Sequence, residues 1–265
     1  MYNNIRGKLL LAGIAFASFM VNVNTYSVNM ALPTIAHEFN VSTTDAAWVV
    51  LAFQLAVTSL LMVCGWLGDR FGLKRVFLAG FAIFTIGSLL CGISSGMSAL
   101  IVFRCIHGLG ASVLYALTPA MVTRYFSKEK RAAAFGTLAT VTALGITIGT
   151  PLGGFITSFL SWQWIFFINI PVGIAAILVC RRVIPDQDEK SKAPAFDLPG
   201  AVLSLVWTAC FVYALSRAQG LGWVSAQVAG CLFVTVVTLA LFIRRERHAE
   251  HPLFDLSLFR SRAFA

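Results

Sequence analysis

The sequence predicts an all-α membrane protein: a compact bundle of six transmembrane helices, then two additional ones. Three observations predict it. The 265 residues are 58% hydrophobic and only 12% charged, against about 25% charged in soluble domains, and the mean hydropathy is +0.82. Apolar runs recur that are each long enough to cross a hydrocarbon core of ~30 Å. Lys and Arg gather in the loops of one side.

Eight spans can be placed, at roughly 9–36, 46–67, 76–94, 99–123, 132–158, 163–181, 199–215 and 225–243. Each must be helical, because lipid offers the backbone no hydrogen-bond partner. Arg6 and Lys8 before Leu9–Val21 resemble a secretion signal. The run, however, continues through a polar stripe into Ala31-Leu32-Pro33, and no small-residue cleavage site follows it. In that stripe Asn22, Tyr26, Asn29 and Pro33 fall at helical spacing, which predicts a polar face turned toward the bundle interior, since lipid-facing amides are costly. Span 2 meets span 3 at the basic segment 65–75. Span 4 carries Arg104 and His107, three residues apart and so on one helix face. Span 5 has Gly145, Gly149 and Gly153 every fourth residue, a flat stripe for close helix contact, with Pro151 able to kink it. Span 6 closes the bundle at residue 181. The polar stretch 182–198, with Pro185 and Pro194, reads as a cytoplasmic linker; 199–243 hold the two additional helices; 244–265 form a basic cytoplasmic loop leading toward another span.

With the N-terminus inside, all of the 20 Lys and Arg except Arg104 and Arg217 fall on the cytoplasmic side. Both termini are then cytoplasmic and the chain is a multi-pass protein of a cell membrane. The net charge of +9 reads as topology signal and anionic-lipid contact rather than nucleic-acid binding. All six cysteines lie in spans without a CxxC pair and are expected to pack as small apolar groups. Asn40-Val41-Ser42 is read as a chance sequon. No disulfide, metal or cofactor is assigned: His248, Glu250 and His251 read as a solvated loop cluster, and Ser127-x-x-Lys130 stands alone beside a helix N-cap position at Ser127. No phosphate loop or nucleophile–base pair survives the topology, so the chain is not read as an enzyme.

Segment Gly65-Trp66-Leu67-Gly68-Asp69-Arg70-Phe71-Gly72-Leu73-Lys74-Arg75 resembles the signature loop between helices 2 and 3 of the major facilitator superfamily, G-x-L-a-D-r-x-G-r-k-r. Asn24-Thr25-Tyr26-Ser27-Val28-Asn29-Met30-Ala31-Leu32-Pro33 resembles D-x-T-I-V-N-V-A-L-P of that family's fourteen-helix drug:proton antiporter branch, with Asn24 at the acidic position. Arg104-Cys105-Ile106-His107-Gly108-Leu109-Gly110-Ala111 resembles the helix 4 motif R-x-x-q-G-x-g-a, with His107 replacing glutamine. Span 5 resembles G-x-x-x-G-P-x-x-G-G, its Pro151 one residue late and its end at Gly153-Gly154. The run from Trp162 to Gly173 resembles the stretch entering helix 6, and Phe196–Gly200, Gly222-Trp223 and Pro252–Arg260 match later landmarks of the branch. The resemblance covers the whole chain, but the family's second six-helix bundle is missing.

The resemblance implies roles. Arg104, His107 and Asn24 are candidates for proton coupling. For Arg104 the alternative is a snorkelling side chain near the outer end of its span, and for His107 a hydrogen-bonded histidine beside it. Gly65, Asp69, Arg70, Gly72, Lys74 and Arg75 form the conformational loop, with Asp69 capping or pairing near Arg70, Lys74 and Arg75. Gly145, Gly149, Pro151, Gly153 and Gly154 form the helix 5 motif, either a pliable helix favouring export or simple tight packing. Asn22, Tyr26, Asn29, Gln54, Tyr115 and Thr118 are candidates to line a substrate cavity. None of the 11 Asp and Glu lies in the core of a span, so proton coupling needs His107, a carboxylate of the second bundle, or another driving force. The expected function is secondary active transport, as proton-coupled efflux of lipophilic or amphipathic compounds at a bacterial inner membrane. The expected partners are the lipid bilayer, a small-molecule substrate, protons, and a second bundle in a complete protein. The alternatives are a half-transporter without activity and a facilitator for another solute such as an organic anion.

Overall fold

The computed structural model describes residues 4–185 and 197–248. The landmarks at Phe196 and Pro252–Arg260, most of the linker, and Glu250 and His251 lie outside the described residues. Among the described residues every regular element is a helix: α1 (Asn4–Glu38), α2 (Thr43–Ala46), α3 (Trp48–Phe71), α4 (Leu73–Gly92), α5 (Met97–Tyr125), α6 (Lys128–Phe159), α7 (Trp164–Phe167), α8 (Asn169–Val183), α9 (Leu198–Leu221) and α10 (Ala226–His248). They make eight membrane-length segments at the expected places, α2 joining α3 and α7 joining α8.

Local chemistry explains the boundaries. After α1, Asn40 takes a left-handed φ of 51° that its short amide tolerates. Ser42 then caps α2 by accepting from the Asp45 N–H at 3.1 Å. Ser127 holds the N-cap position of α6 with an extended backbone, but its side chain makes no cap bond. Asp197 caps α9 by accepting from the Gly200 N–H at 3.1 Å, and Pro199 fits the first turn, where its lost N–H is not needed. The same carboxylate pairs with Arg245 at 3.1 Å, fastening the start of α9 to the end of α10.

The expected loop between spans 2 and 3 is shorter than its composition suggested. Gly65–Phe71 continue α3 and Leu73–Arg75 already belong to α4; Gly72 alone separates them, at φ 94°, ψ 132°. One glycine in a conformation closed to L side chains replaces a multi-residue turn.

In the packing, α1 lies along α6, and α3 and α4 both flank α5. Helix α8 covers α4 and α1. One core cluster joins Phe53, Phe77, Phe81, Phe84, Leu114 and Leu117; a second, toward the α1–α2 end, joins Val28, Ile35, Trp162 and Phe166. Helices α9 and α10 pair with each other, and α9 leans on α3 through the Trp48–Tyr213 ring contact (5.6 Å) and Arg217, which lies 5.5 Å over Trp48 and 4.0 Å from Asp45. Large apolar side chains such as Phe155, Phe159, Phe233 and Val236 are exposed along α6 and α10, which suits a lipid surround.

Candidate functional site

Arg104 is fully buried inside the bundle, so the snorkelling alternative fails. Its Nε donates to the Val49 carbonyl in the first turn of α3 at 2.9 Å. Its Nη1 donates to Asn24 Oδ1 of α1 at 3.1 Å and to His107 Nδ1, one turn along α5, also at 3.1 Å. The guanidinium carbon stacks 4.0 Å over the Phe53 ring. One cation thereby ties α1, α3 and α5, and its three hydrogen-bond acceptors are all neutral.

Because guanidinium can only donate, Nδ1 of His107 must accept, which places the ring proton of a neutral imidazole on Nε2. The ring is enclosed by Phe84 (centroids 4.1 Å apart), Phe53 (5.4 Å) and Phe166 (6.1 Å). Small residues make the enclosure possible. A Cβ at Gly108 would meet the Phe53 carbonyl at 2.7 Å, one at Gly87 would meet the His107 backbone at 2.6 Å, and one at Gly110 would strike the Phe84 backbone. The glycines of the Arg104–Ala111 motif therefore bring α5 against α3 and α4, close enough for Arg104 and His107 to meet partners from both sides.

The span 5 stripe packs on α1. A Cβ at Gly145 would lie 2.9 Å from the Phe19 carbonyl, at Gly149 2.8 Å from that of Val23, and at Gly153 2.5 Å from that of Ser27. Ser27 Oγ donates across the same seam to the Gly149 carbonyl at 2.8 Å. Gly154 does not share in this contact, since a Cβ there meets nothing within 4 Å. Pro151 is exposed inside an unbroken α6.

Of the cavity candidates, Asn22, Tyr26 and Tyr115 lie near one another, and Asn22 donates to the Ser18 carbonyl at 2.7 Å. Thr118 is buried and satisfied within its own helix, donating to Leu114 at 2.7 Å. Gln54 is exposed on α3. Asn29 and Pro33, the far end of the expected stripe, are exposed in this chain rather than packed into the first bundle. Helix α6 crosses α1, so the contact line passes from Phe19 and Asn22 to Tyr26 and then Ser27, turning away from Asn29. At the signature segment, Arg124 of α5, a cation from outside the loop, lies near enough to act on Asp69. Gly65 faces open space and Gly68 fits against Leu117.

Sequence reasoning missed several groups. The Val49 carbonyl carries no side-chain signal. Glu38, at the end of α1, accepts from Trp162 Nε1 at 2.6 Å and Gln163 Nε2 at 3.1 Å, fixing the turn before α7. Asn169 donates to Ser88 Oγ at 3.0 Å, and Ser88 donates to the Phe166 carbonyl at 2.9 Å, tying α7 and α8 to α4. An open apolar groove of about 570 Å³ runs between α1 and α6, lined by Leu11, Phe16, Phe19, Thr137 and Val141 with Lys8 at one end.

The family model described as Major Facilitator Superfamily matches residues 14–259, nearly the whole chain. The chain belongs to the Major Facilitator Superfamily. Among its relatives, proteins named "Putative multidrug resistance protein MdtD" from Escherichia coli O139:H28 (strain E24377A / ETEC) and from Shigella flexneri are each 32% identical over 252 residues, covering 95% of this chain and 53% of the relative. Their names agree with the drug:proton antiporter branch that the motifs resemble. The chain thus spans about half the length of the curated relatives it matches. Crystal structures of the peptide transporter POT share the fold: in complex with sulfate, TM-score 0.66 at 16% identity, covering 91% of this chain and 53% of that one; a mutant in complex with alafosfalin, TM-score 0.65 at 15% identity. The match is to a family of membrane transporters, and eight helices among the described residues are long and apolar enough to cross a membrane.

Proposed function

We propose that the chain forms the N-terminal part of a proton-coupled exporter of lipophilic or amphipathic compounds. The observation that carries this reading is the 32% identity, over 95% of the chain, to relatives bearing a multidrug resistance name. The apolar groove between α1 and α6 supports it, since small-molecule sites are mostly apolar clefts. Residues 1–181 form the first bundle and 182–198 the linker; 199–243 add two helices, and 244–265 lead onward to a second six-helix bundle. The basic loops favour a cytoplasmic location for both termini of this chain, and a bacterial inner membrane is the proposed location. Substrate binds between the two bundles, which rock about it. The segment bearing Gly65, Asp69, Arg70, Gly72, Lys74 and Arg75 is the joint that the second bundle engages.

Among the described residues no carboxylate occupies the middle of a span, so the acid that carries the proton belongs to the second bundle, and Arg104 orders the first bundle around it. One observation favours a second reading, transport of an organic anion: with Asn24 at the acidic position no described carboxylate offsets the Arg104 charge, so its field, without direct contact, favours an anionic solute. The complete protein in proteoliposomes, with an imposed pH gradient and a panel of lipophilic cations, neutral amphiphiles and organic anions, separates them. Gradient-driven movement of cations or neutral compounds, collapsed by a protonophore, is expected. Movement of organic anions alone, or flux indifferent to the gradient, overturns the proposal.

A further inference from the structure

Arg104 and two buried side chains beside it keep polar atoms without a protein partner: Arg104 Nη2, Asn24 Nδ2 and His107 Nε2. All three belong to one connected group, since Arg104 Nη1 already bonds both Asn24 Oδ1 and His107 Nδ1. These orphans are of one kind. Nη2 and Nδ2 can only donate, and the Arg104 bond to Nδ1 makes Nε2 of a neutral ring a donor as well. Every acceptor in the group is used, and only N–H groups are left over. The group also carries a full positive charge that its described partners do not cancel, because Val49 O, Asn24 Oδ1, His107 Nδ1 and the Phe53 face are neutral. An unpaired charge in a low-dielectric interior is strongly disfavoured, as are buried donors left without acceptors.

We propose that Arg104 Nη2 and Asn24 Nδ2 bind a small monovalent inorganic anion of chloride size as the counter-ion of this buried cation. A halide accepts from several N–H groups at once and supplies the missing charge, whereas a water molecule accepts without charge and brings two O–H donors of its own. Enclosure sets the size. Arg104 and Asn24 are 0% and 1% exposed within this chain alone, so a bulky organic anion or a side chain from another bundle does not reach them. The site is independent of which solute the complete transporter moves, and its test needs no transport.

The purified complete protein in detergent is melted while chloride replaces gluconate at constant ionic strength. The expected result is a melting temperature that rises with chloride and then saturates, following the logarithmic law of ligand stabilisation. Bromide and nitrate should substitute. Nitrate is informative because as a bulk salt it does not strengthen folding, as excluded salts such as sulfate do. Asn24→Asp puts a carboxylate beside the guanidinium, where it can pair bidentately. That variant should melt in gluconate as high as the parent does in chloride, and lose at least most of the chloride response. Broadening of the chloride NMR line by the parent chain, relieved in Asn24→Asp, reads binding directly even if a variant melts poorly. Equal melting of the parent in chloride and gluconate, or a chloride response undiminished in Asn24→Asp, overturns the proposal.

Discussion

Asn24 Oδ1 of α1 accepts from Arg104 Nη1 of α5 across 3.1 Å, joining the two helices at the position where related motifs carry an acidic residue. The amide supplies geometry without charge. Arg104 is consequently held by shape and direction: a planar fork that reaches Val49, Asn24 and His107 together. Lysine cannot reproduce the fork. Arg104→Lys should insert into the membrane yet melt lower by the worth of at least one charged hydrogen bond, about 1.5–3 kcal/mol. Arg104→Ala in the complete protein should abolish export with insertion intact. Membrane yield, melting and vesicle flux check both, and normal export by Arg104→Ala would sink the role given to this residue.

His107 is cast as an acceptor for Arg104 rather than as a proton carrier. Glutamine offers an amide oxygen in its place and does not titrate. His107→Gln should therefore keep export and its pH profile, with melting within about 1 kcal/mol of the parent, while His107→Phe removes the acceptor and costs about 1–3 kcal/mol. Loss of pH-dependent export in His107→Gln alone would instead make the ring the proton carrier.

Gly153 and Gly154 are neighbours in sequence with opposite surroundings. A Cβ at Gly153 lies 2.6 Å from the Ser27 Cα, and at Gly154 nothing lies within 4 Å. The obstacle at Gly153 is backbone, which no rotamer change can clear. Gly153→Ala should force α1 and α6 apart at a cost of about 1–3 kcal/mol, whereas Gly154→Ala should be neutral or slightly stabilising. Paired melting curves in detergent decide it; equal melting of the two variants would mean that the helix seam is not formed.

The spans were legible because apolar length is a one-dimensional property, and the Arg104–His107 pairing because i, i+3 spacing on a helix fixes proximity. The rest needed the third dimension. The partners Val49 and Asn24 lie 55 and 80 positions from Arg104, and one of them acts through its backbone carbonyl. Periodicity placed Asn29 on the face of Asn22, but it could not show that α6 crosses that face and leaves Asn29 open. Glycine spacing predicted the stripe of Gly145, Gly149 and Gly153, yet Gly154 points elsewhere. The basic composition of 65–75 suggested a loop where the backbone keeps helix on both sides of Gly72, since a charged helix end and a charged turn read alike.

Gly72 carries the whole reversal between α3 and α4 at φ 94°. Gly72→Ala has open space for its methyl group, so the penalty is backbone strain alone, about 1–3 kcal/mol. Gly65→Ala, equally open but inside α3, should gain about 0.5–1 kcal/mol from helix propensity. Opposite signs in two melting measurements are expected; a shared sign would contradict the backbone geometry at Gly72.

Glu38 holds Trp162 and Gln163 with its two oxygens, at 2.6 and 3.1 Å, and Trp162 is completely buried beside Phe39 and Phe166. Phe166 in turn borders the His107 ring. The carboxylate thus fixes the turn whose next residues wall the Arg104 group. Glu38→Gln keeps one acceptor oxygen, which can turn to the Trp162 N–H, and should cost no more than about 1 kcal/mol. Glu38→Ala leaves the buried indole N–H unpaired and should cost about 1–3 kcal/mol. Trp162→Phe in the Glu38→Ala background removes the orphan donor along with its lost partner, so the double variant should be less destabilised than the sum of the two single changes. Strict additivity of the three melting shifts would mean that Glu38 and Trp162 do not act on each other.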